Sequence, residues 1–274
     1  MPPDELIPSN RDQLSRQSDG VNPITSQMAR DLLVRGKEKD ELTESKTELP
    51  EEAEVRFKCP NLEIAIREEL EKPEGPVTRN DMAILHTFVA LRKDITDLSG
   101  LENAFALTEL TMELNPITDI SPLANLTNLI KLEIRGSLIT DLAPLADLVQ
   151  LKALVLNCNA LTDLAPIANL VKLSLLGLGD NEIWDLSPLA NLLKLSMVSL
   201  EGTLVTEFSG LAHLPELKWL FLRKDQILDL LPPDATISLT EPWLWRNPIP
   251  EELEALLKKA LPDCLIYLSP DPPW

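Results

Sequence analysis

Apolar residues recur along the middle of the chain with a fixed period of 22 residues. Three consecutive stretches show the period without a gap: ITDISPLANLTNLIKLEIRGSL (117–138), ITDLAPLADLVQLKALVLNCNA (139–160) and LTDLAPIANLVKLSLLGLGDNE (161–182). The register extends back to Ile95 and forward to Pro248, which gives seven units. A period held over this length indicates a repeat architecture, in which each unit is covered by its neighbours.

Each unit combines two local patterns of apolar residues. An L-x-L segment, such as Leu132-Glu133-Ile134 or Leu154-Val155-Leu156, has the two-residue alternation of a β-strand. The rest of the unit has an apolar residue at every third position, which favours a 3₁₀-like turn because residues i and i+3 eclipse there. The pattern therefore predicts an α/β solenoid with a parallel sheet on one side and 3₁₀-like turns on the other.

The consensus of the seven units is I-x-x-L-x-x-L-x-x-L-x-x-L-x-x-L-x-L-x-x-N-x, with substitutions. This consensus resembles the 22-residue leucine-rich repeat of bacterial internalin-like proteins, and the likeness extends over roughly residues 57–249. Residues 60–94 are similar to the helical N-terminal cap of that family. The resemblance implies a leucine-rich repeat horseshoe, with the parallel sheet on its concave face and 3₁₀-like turns on its convex side.

Two columns of polar residues follow the same register. The first comes after the strands, where a leucine-rich repeat asparagine bonds backbone groups of the turn: Asn115, Ser137, Asn159, Asn181, Thr203, Asp225 and Asn247. The non-asparagine members, Ser137, Thr203 and Asp225, are expected to hold the turn less firmly. The second column is acidic: Asp97, Asp119, Asp141, Asp163, Asp185, Glu207 and Asp229. We expect these carboxylates to cap the 3₁₀-like turns rather than to bind calcium.

The same pattern divides the chain into four parts. Residues 1–55 are predicted to be a disordered or partly helical tail, and residues 56–94 a helical N-terminal cap with Thr78 as a helix N-cap. Residues 95–248 form the seven repeats. Residues 249–274 are predicted to close the stack with a helix and a strand, followed by a short tail.

Composition and charge indicate which partners and which cellular location the protein is expected to have. Acidic residues number 44 against 25 basic ones, for a net charge of −19, which disfavours nucleic acid and anionic membranes as partners. The three cysteines are far apart in sequence and are predicted to be reduced thiols. No apolar signal-peptide core or membrane-length run is seen, so we expect a cytoplasmic protein without membrane insertion, with a non-classical secretion route left open.

No pattern of catalytic residues is found in the sequence. The two histidines lie in different units, and no phosphate-binding loop or nucleophile motif occurs. The protein is therefore predicted not to be an enzyme and to need no cofactor and no metal ion.

The outward positions of the predicted strands change in character along the stack. They are charged in the first repeats, small and apolar in the middle, and aromatic at the C-terminal end. Because exposed aromatic residues mark partner sites, this face is predicted to bind another protein. The predicted binding residues are four aromatic anchors, with charged residues and a methionine beside them: Trp219, Phe221, Trp243, Trp245, Arg223, Glu201, Met197, Arg135 and Glu133.

Alternatives stay open for this aromatic patch. The C-terminal segment SPDPPW (269–274) is a candidate to fold back over the rings, and flat rings are also suited to stacking on carbohydrate. The resemblance itself implies surface adhesion, although the chain shows neither a signal peptide nor a wall-sorting tail. Repeats of this length also resemble those of an intracellular phosphatase regulatory subunit. A monomeric solenoid acting as a scaffold or regulatory subunit is the interpretation we favour.

Overall fold

The computed structural model describes residues 53–222 and, for the backbone alone, residues 241–243. Two helices come first, α1 (Pro60–Glu69) and α2 (Arg79–Ala83). The strands are β1 (Thr87–Leu91), β2 (Glu109–Glu113), β3 (Lys131–Arg135), β4 (Ala153–Val155), β5 (Leu175–Gly177), β6 (Met197–Ser199), β7 (Trp219–Phe221) and β8 (Glu241–Trp243). A 3₁₀ turn follows each of the first six strands: Leu101–Asn103, Ser121–Leu123, Ala143–Leu145, Ala165–Ile167, Ser187–Leu189 and Ser209–Leu211.

The strands form one parallel sheet in chain order, from β1 to β8. Each strand pairs with the next at an offset of 22 residues, so that Phe88 lies opposite Leu110, and Leu110 opposite Leu132. The same offset pairs Phe221 with Trp243 at the last step. This register confirms the predicted period and the predicted leucine-rich repeat solenoid.

The core consists of apolar columns that run through the stack. The first residue of each repeat shows the arrangement, because its side chain is fully buried in every repeat from Ile95 to Val205. Leu110, Leu132 and Leu154 from the strands are equally inaccessible. A fully buried leucine contributes about 1.5–3 kcal/mol, and here that gain comes only when the neighbouring repeats are in place.

The acidic column caps the 3₁₀ turns, as predicted. Asp119 accepts a hydrogen bond from the Ser121 N–H at 2.8 Å, and Asp163 accepts one from the Ala165 N–H at 2.8 Å. The carboxylates are thus engaged with the backbone of their own turns. Within residues 53–222, no group of three acidic, histidine or cysteine side chains is arranged to hold a metal ion.

The asparagine column holds the chain where it leaves each strand. Asn181 accepts from the Leu161 N–H at 3.1 Å and donates to the carbonyls of Leu156 and Leu178 at 3.0 and 2.8 Å. Its bonds therefore connect its own repeat, residues 161–182, with the preceding one, residues 139–160. Ser137 instead donates a single bond of 2.6 Å to the Asn115 carbonyl, which confirms the expectation of a weaker link at that position. Asp225 and Asn247 lie outside the described residues.

The residue before this polar column adopts a left-handed backbone in every repeat from the cap to residue 202. Glycine fills the position at Gly136 (φ 61°) and Gly202 (φ 72°), whereas Leu114 and Cys158 occupy it at φ 54° and 57°. A side chain in this region costs roughly 1–2 kcal/mol, which the repeat geometry imposes. The hydrophobic pattern gives no sign of this column.

The N-terminal cap has the predicted N-cap and one difference at its boundary. The Thr78 hydroxyl accepts from the Asp81 N–H, and Asp81 accepts from the Thr78 N–H at 2.6 Å, which forms a capping box at the start of α2. The predicted tail ended at residue 55, but Val55 is buried and its N–H bonds the Val77 carbonyl at 2.8 Å. Residues 53–55 therefore belong to the cap. Residues 1–52 and the predicted C-terminal cap lie outside the described residues.

The asparagine column gives a direct test of what holds the repeats together. Replacing Asn181 by alanine leaves one N–H and two carbonyls unsatisfied in a buried turn, and each unsatisfied group costs about 1–3 kcal/mol. We therefore expect Asn181→Ala to lower the free energy of unfolding by at least roughly 3 kcal/mol in urea titrations. Asn169→Ala, at an exposed asparagine of the neighbouring turn, should change it by less than about 0.5 kcal/mol. Equal effects of the two substitutions would contradict this role.

Candidate partner-binding surface

The strand register places the predicted outward residues in columns on one face of the sheet. One column runs through Thr87, Glu109, Lys131, Ala153, Leu175, Met197, Trp219 and Glu241. A second runs through Val89, Thr111, Glu133, Val155, Gly177, Ser199, Phe221 and Trp243. The alternation within each strand leaves the leucines on the opposite, core-facing side. We call this surface the concave face.

The N-terminal part of the concave face carries a network of ion pairs on β2 and β3. Arg135 Nε lies 2.6 Å from Glu133 Oε1, and Lys131 Nζ lies 3.4 Å from the other oxygen of the same carboxylate. Glu113 lies across the strand pair, 4.0 Å from Arg135 Nε. Both Glu133 and Arg135 are buried. The sequence predicted both residues for this face but not that they would bind each other.

Arg135 is held by charge rather than by hydrogen bonds. Its Nε atom is close to Glu133, yet the N–H does not point at an acceptor, so this buried donor is unsatisfied. A buried donor without an acceptor costs about 1–3 kcal/mol.

Glu113 has an altered acidity because of this network. Burial raises the pKa of Glu113, the neighbouring Glu133 carboxylate adds to the rise, and the charges of Arg135 and Lys131 offset only part of it. The folded protein thus binds a proton at Glu113 more readily than the unfolded chain does. At neutral pH, the charged form of Glu113 is therefore less favourable in the folded protein than in the unfolded chain.

Two glycines, Gly177 and Gly179, lie in the middle of the concave face. A Cβ atom at Gly177 would lie 2.6 Å from the Asn157 amide, and one at Gly179 would lie 2.8 Å from it. In the orientation that satisfies both groups, this amide donates to the Gly177 carbonyl and accepts from the Gly179 N–H, each at 3.3 Å. The two glycines therefore leave room for the Asn157 amide to lie across the next strand.

Cys158 follows this row, but it is not an activated nucleophile. Burial and the Asp180 carboxylate raise the pKa of the Cys158 thiol to about 12, and the thiol donates to Asp180 at 3.7 Å. The thiol therefore stays protonated at neutral pH. Cys158 and Cys59 are both unpaired thiols, as predicted, and Cys264 lies outside the described residues.

The C-terminal part of the concave face is apolar and far less accessible than predicted. Phe221 and Met197 lie in the predicted columns, but they are only 1% and 2% exposed. Val89, in the same column as Phe221, is 48% exposed at the other end of the sheet. The expectation that Phe221 is a solvent-exposed anchor is therefore wrong.

The other predicted binding residues differ in how far the structure describes them. Trp219, in its column of the concave face, and Glu201 are partly exposed. Trp243 pairs with Phe221 through its backbone, which places it in the predicted column. The side chain of Trp243, together with Arg223 and Trp245, lies outside the described residues.

Three further residues contribute to this surface and were not among the predicted binding residues. Lys131 and Glu113 complete the ion-pair network, and Leu175 extends the apolar part. Their positions in the columns were visible in the sequence. The missing information was which side chains contact each other between strands.

In the part of the chain described here, no helix is long and apolar enough to cross a membrane.

Two known structures, each with a TM-score above 0.5, support the same architecture. Internalin C2 from Listeria monocytogenes is 31% identical, aligns over 66% of this chain and 92% of its own, and has a TM-score of 0.53. A leucine-rich repeat protein from Leptospira interrogans is 22% identical over 69% of this chain and 50% of its own, with a TM-score of 0.55. Internalin F from Listeria monocytogenes is 22% identical over 78% of this chain and 89% of its own, with a TM-score of 0.46. No protein-family model and no curated protein matches the chain.

The raised pKa of Glu113 predicts how stability depends on pH. A carboxyl whose pKa is higher in the folded state stabilises fully below its unfolded pKa of about 4.3, and this contribution is lost as the pH rises through the folded value. Glu113→Gln removes the charge, so we expect it to raise the melting temperature at pH 7 and to have little effect near pH 4. Glu109→Gln, on the exposed end of the same strand, is the matched control. A larger benefit of Glu113→Gln at pH 4 than at pH 7 would contradict the sign.

Proposed function

Because the chain belongs to the internalin-like family of leucine-rich repeat proteins, we propose that it is a non-enzymatic module that binds a protein partner on its concave face. Solenoids of this kind present an extended concave surface for binding other proteins. The finer assignment, a scaffold or regulatory subunit in the cytoplasm, is part of this proposal. It rests on the sequence and on the composition of the face.

The observation that carries the proposal is the ordered change of chemistry along one face. Ion-paired side chains occupy β2 and β3, Gly177 lies on β5, and Met197, Trp219 and Phe221 occupy β6 and β7. Stacking of the repeats requires leucines on the core-facing side of the sheet. It does not constrain which residue types lie on the opposite side. Three distinct zones in fixed register therefore suit one partner in one orientation.

Each zone has a separate role in this proposal. The apolar and aromatic side chains of β6 and β7 supply the binding energy, since aromatic residues and arginine dominate the energetics of protein interfaces. Glu133 and Arg135, which form an ion pair on this face, set the orientation. The alternative of carbohydrate binding gains no support, because the aromatic strands β6 and β7 carry few of the amide and carboxylate groups that form hydrogen bonds with sugar hydroxyls.

Affinity purification of the full chain from its native host, followed by mass spectrometry, tests this proposal. The chain offers a matched pair of tryptophans: Trp219 lies on the concave face, and Trp184 is 66% exposed outside the sheet. We expect Trp219→Ala to reduce recovery of the partner by roughly tenfold or more, because truncating a central aromatic residue commonly costs 2 kcal/mol or more.

Trp184→Ala should leave recovery unchanged. Circular dichroism melting curves of both variants show whether either substitution unfolds the solenoid. If the partner is lost with Trp184→Ala and kept with a folded Trp219→Ala, the concave face is not the binding surface.

A further inference from the structure

Strand β1 is the first strand of the sheet and has a neighbouring strand, β2, on one side only. The Arg92 N–H, just after β1, donates to the Glu113 carbonyl, so Arg92 and the alternate residues before it bond toward β2. Successive residues of a strand direct their N–H and C=O groups to opposite sides, so those of Thr87, Val89 and Leu91 point away from the sheet. Within the described residues, these outward backbone groups have no hydrogen-bond partner.

The free edge of β1 lacks the features that usually prevent strand pairing. Such edges are commonly blocked by proline, by charged side chains or by a bulge. The sequence of β1 is TFVAL, and Thr87, Val89 and Leu91 are uncharged and exposed, Val89 to 48% and Leu91 to 47%. The same positions of the interior strand β2 carry two glutamates. The terminal strand is thus less charged than its neighbour, which is the reverse of what an edge kept apart from other strands requires.

We propose that the free edge of β1 is a second interaction site, at which a protein partner adds an extended strand to the sheet. The occupant is a segment as long as β1, five residues, with apolar side chains at alternate positions and basic residues at its ends. Strand addition takes affinity from main-chain hydrogen bonds and specificity from alternate side chains. The inference does not rest on the proposed function, because it concerns the edge of the sheet and not the side chains of β6 and β7.

The added strand extends the concave face by one row. Its outward side chains lie beside Val89 and Leu91, which begin columns of outward residues that continue through β2 and β3. Apolar groups at these positions cover the half-exposed side chains of both residues, so burial favours them over polar groups. The site is therefore continuous with the proposed binding surface.

Helix α1 gives the other side of the added strand an apolar neighbour. The helix packs against β1, and its residue Ile64 is half-exposed. Ile64 shares a helix face with Asn61 and Glu68, because residues three and four apart lie on the same side of a helix. Asn61 and Glu68 bond Asp94 and Lys93, directly after β1, so this helix face is directed toward the end of the strand.

Charge favours basic residues at the ends of the added strand. Carboxylates lie beside both ends of β1, Glu109 at its start and Glu113 at its end. Arg92 follows β1 and offsets only the second of them, and Lys93 is already ion-paired with Glu68 at 2.7 Å. The chain as a whole carries a net charge of −19. Basic ends therefore complement the edge and steer the segment toward it.

Hydrogen exchange of the full chain, resolved at single amides by NMR, tests whether the edge is open. The amides of Val89 and Leu91 are expected to exchange at least about a hundredfold faster than those of Phe88 and Ala90, which face β2. Slow exchange at Val89 and Leu91 would show that the chain itself or a second copy already pairs with the edge, and this result would overturn the proposal.

A displayed library of random peptides, each about twelve residues long, supplies the strand. Peptides are selected on the full chain and counter-selected on Val89→Pro, which removes the central outward N–H without breaking a bond to β2. The expected peptides alternate apolar residues between basic ends, and bind the wild type roughly tenfold or more tightly than Val89→Pro. Val89→Thr keeps the N–H and the β-branched shape, so this matched control should retain binding. Melting curves show whether both variants fold.

N-methylation of a selected peptide gives a readout that does not depend on how Val89→Pro folds. Methylating the alternate amides that face β1 should weaken binding at least about tenfold, whereas methylating the intervening amides should have little effect. Equal effects of the two patterns, or a library that yields no such peptide, contradict strand addition.

The substitution Trp219→Ala separates this inference from the proposed function, and it should leave peptide binding unchanged. If Trp219→Ala abolishes peptide binding and Val89→Pro retains it, the peptide occupies the concave face and strand addition at β1 is wrong. The proposed function is tested with the native partner, so either proposal can fail while the other stands.

Discussion

The structure depends on one constraint: a 22-residue unit cannot bury its own leucines. The side chains of Ile117, Leu132 and Leu154 are fully buried only because adjacent repeats cover them. Packing at this density fixes the register, since a shift of one residue would turn every strand leucine toward solvent. The same register places the outward residues in straight columns. The binding surface is thus a by-product of the core, and its residues were free to diversify.

Stacking also requires that the buried backbone N–H and C=O groups of every turn have hydrogen-bond partners. Asn115 and Asn181 accomplish this with a single amide that bonds donors and acceptors of adjacent repeats. The carboxylate of Asp119 does the same for the start of its 3₁₀ turn. These polar contacts explain why the repeats keep one length across the described chain, because an inserted residue would separate the amide from its partners.

The 22-residue period was sufficient to predict the sheet, the columns of outward side chains, and the asparagine and acidic columns, because each follows from that spacing. It did not predict the left-handed backbone at Leu114 and Cys158, since one residue's φ angle has no signature in the apolar pattern. It also missed the ion pair between Glu133 and Arg135, because alternation states which face a side chain occupies but not what it contacts. It also did not predict the low exposure of Phe221, because strand alternation gives the face that a side chain occupies and not its accessibility.

The central claim is that stacking sets the outward side chains in register, and that those of β5 and β6 are buried while those at the β1 edge are open to solvent. Hydroxyl-radical footprinting of the full chain, read by mass spectrometry, measures this directly. Leu91 and Leu175 are the same residue type on the same face, 47% and 5% exposed. The account predicts that Leu175 is labelled several-fold less than Leu91, and that Met197 is protected despite the high reactivity of methionine. Equal labelling of Leu91 and Leu175 would contradict it.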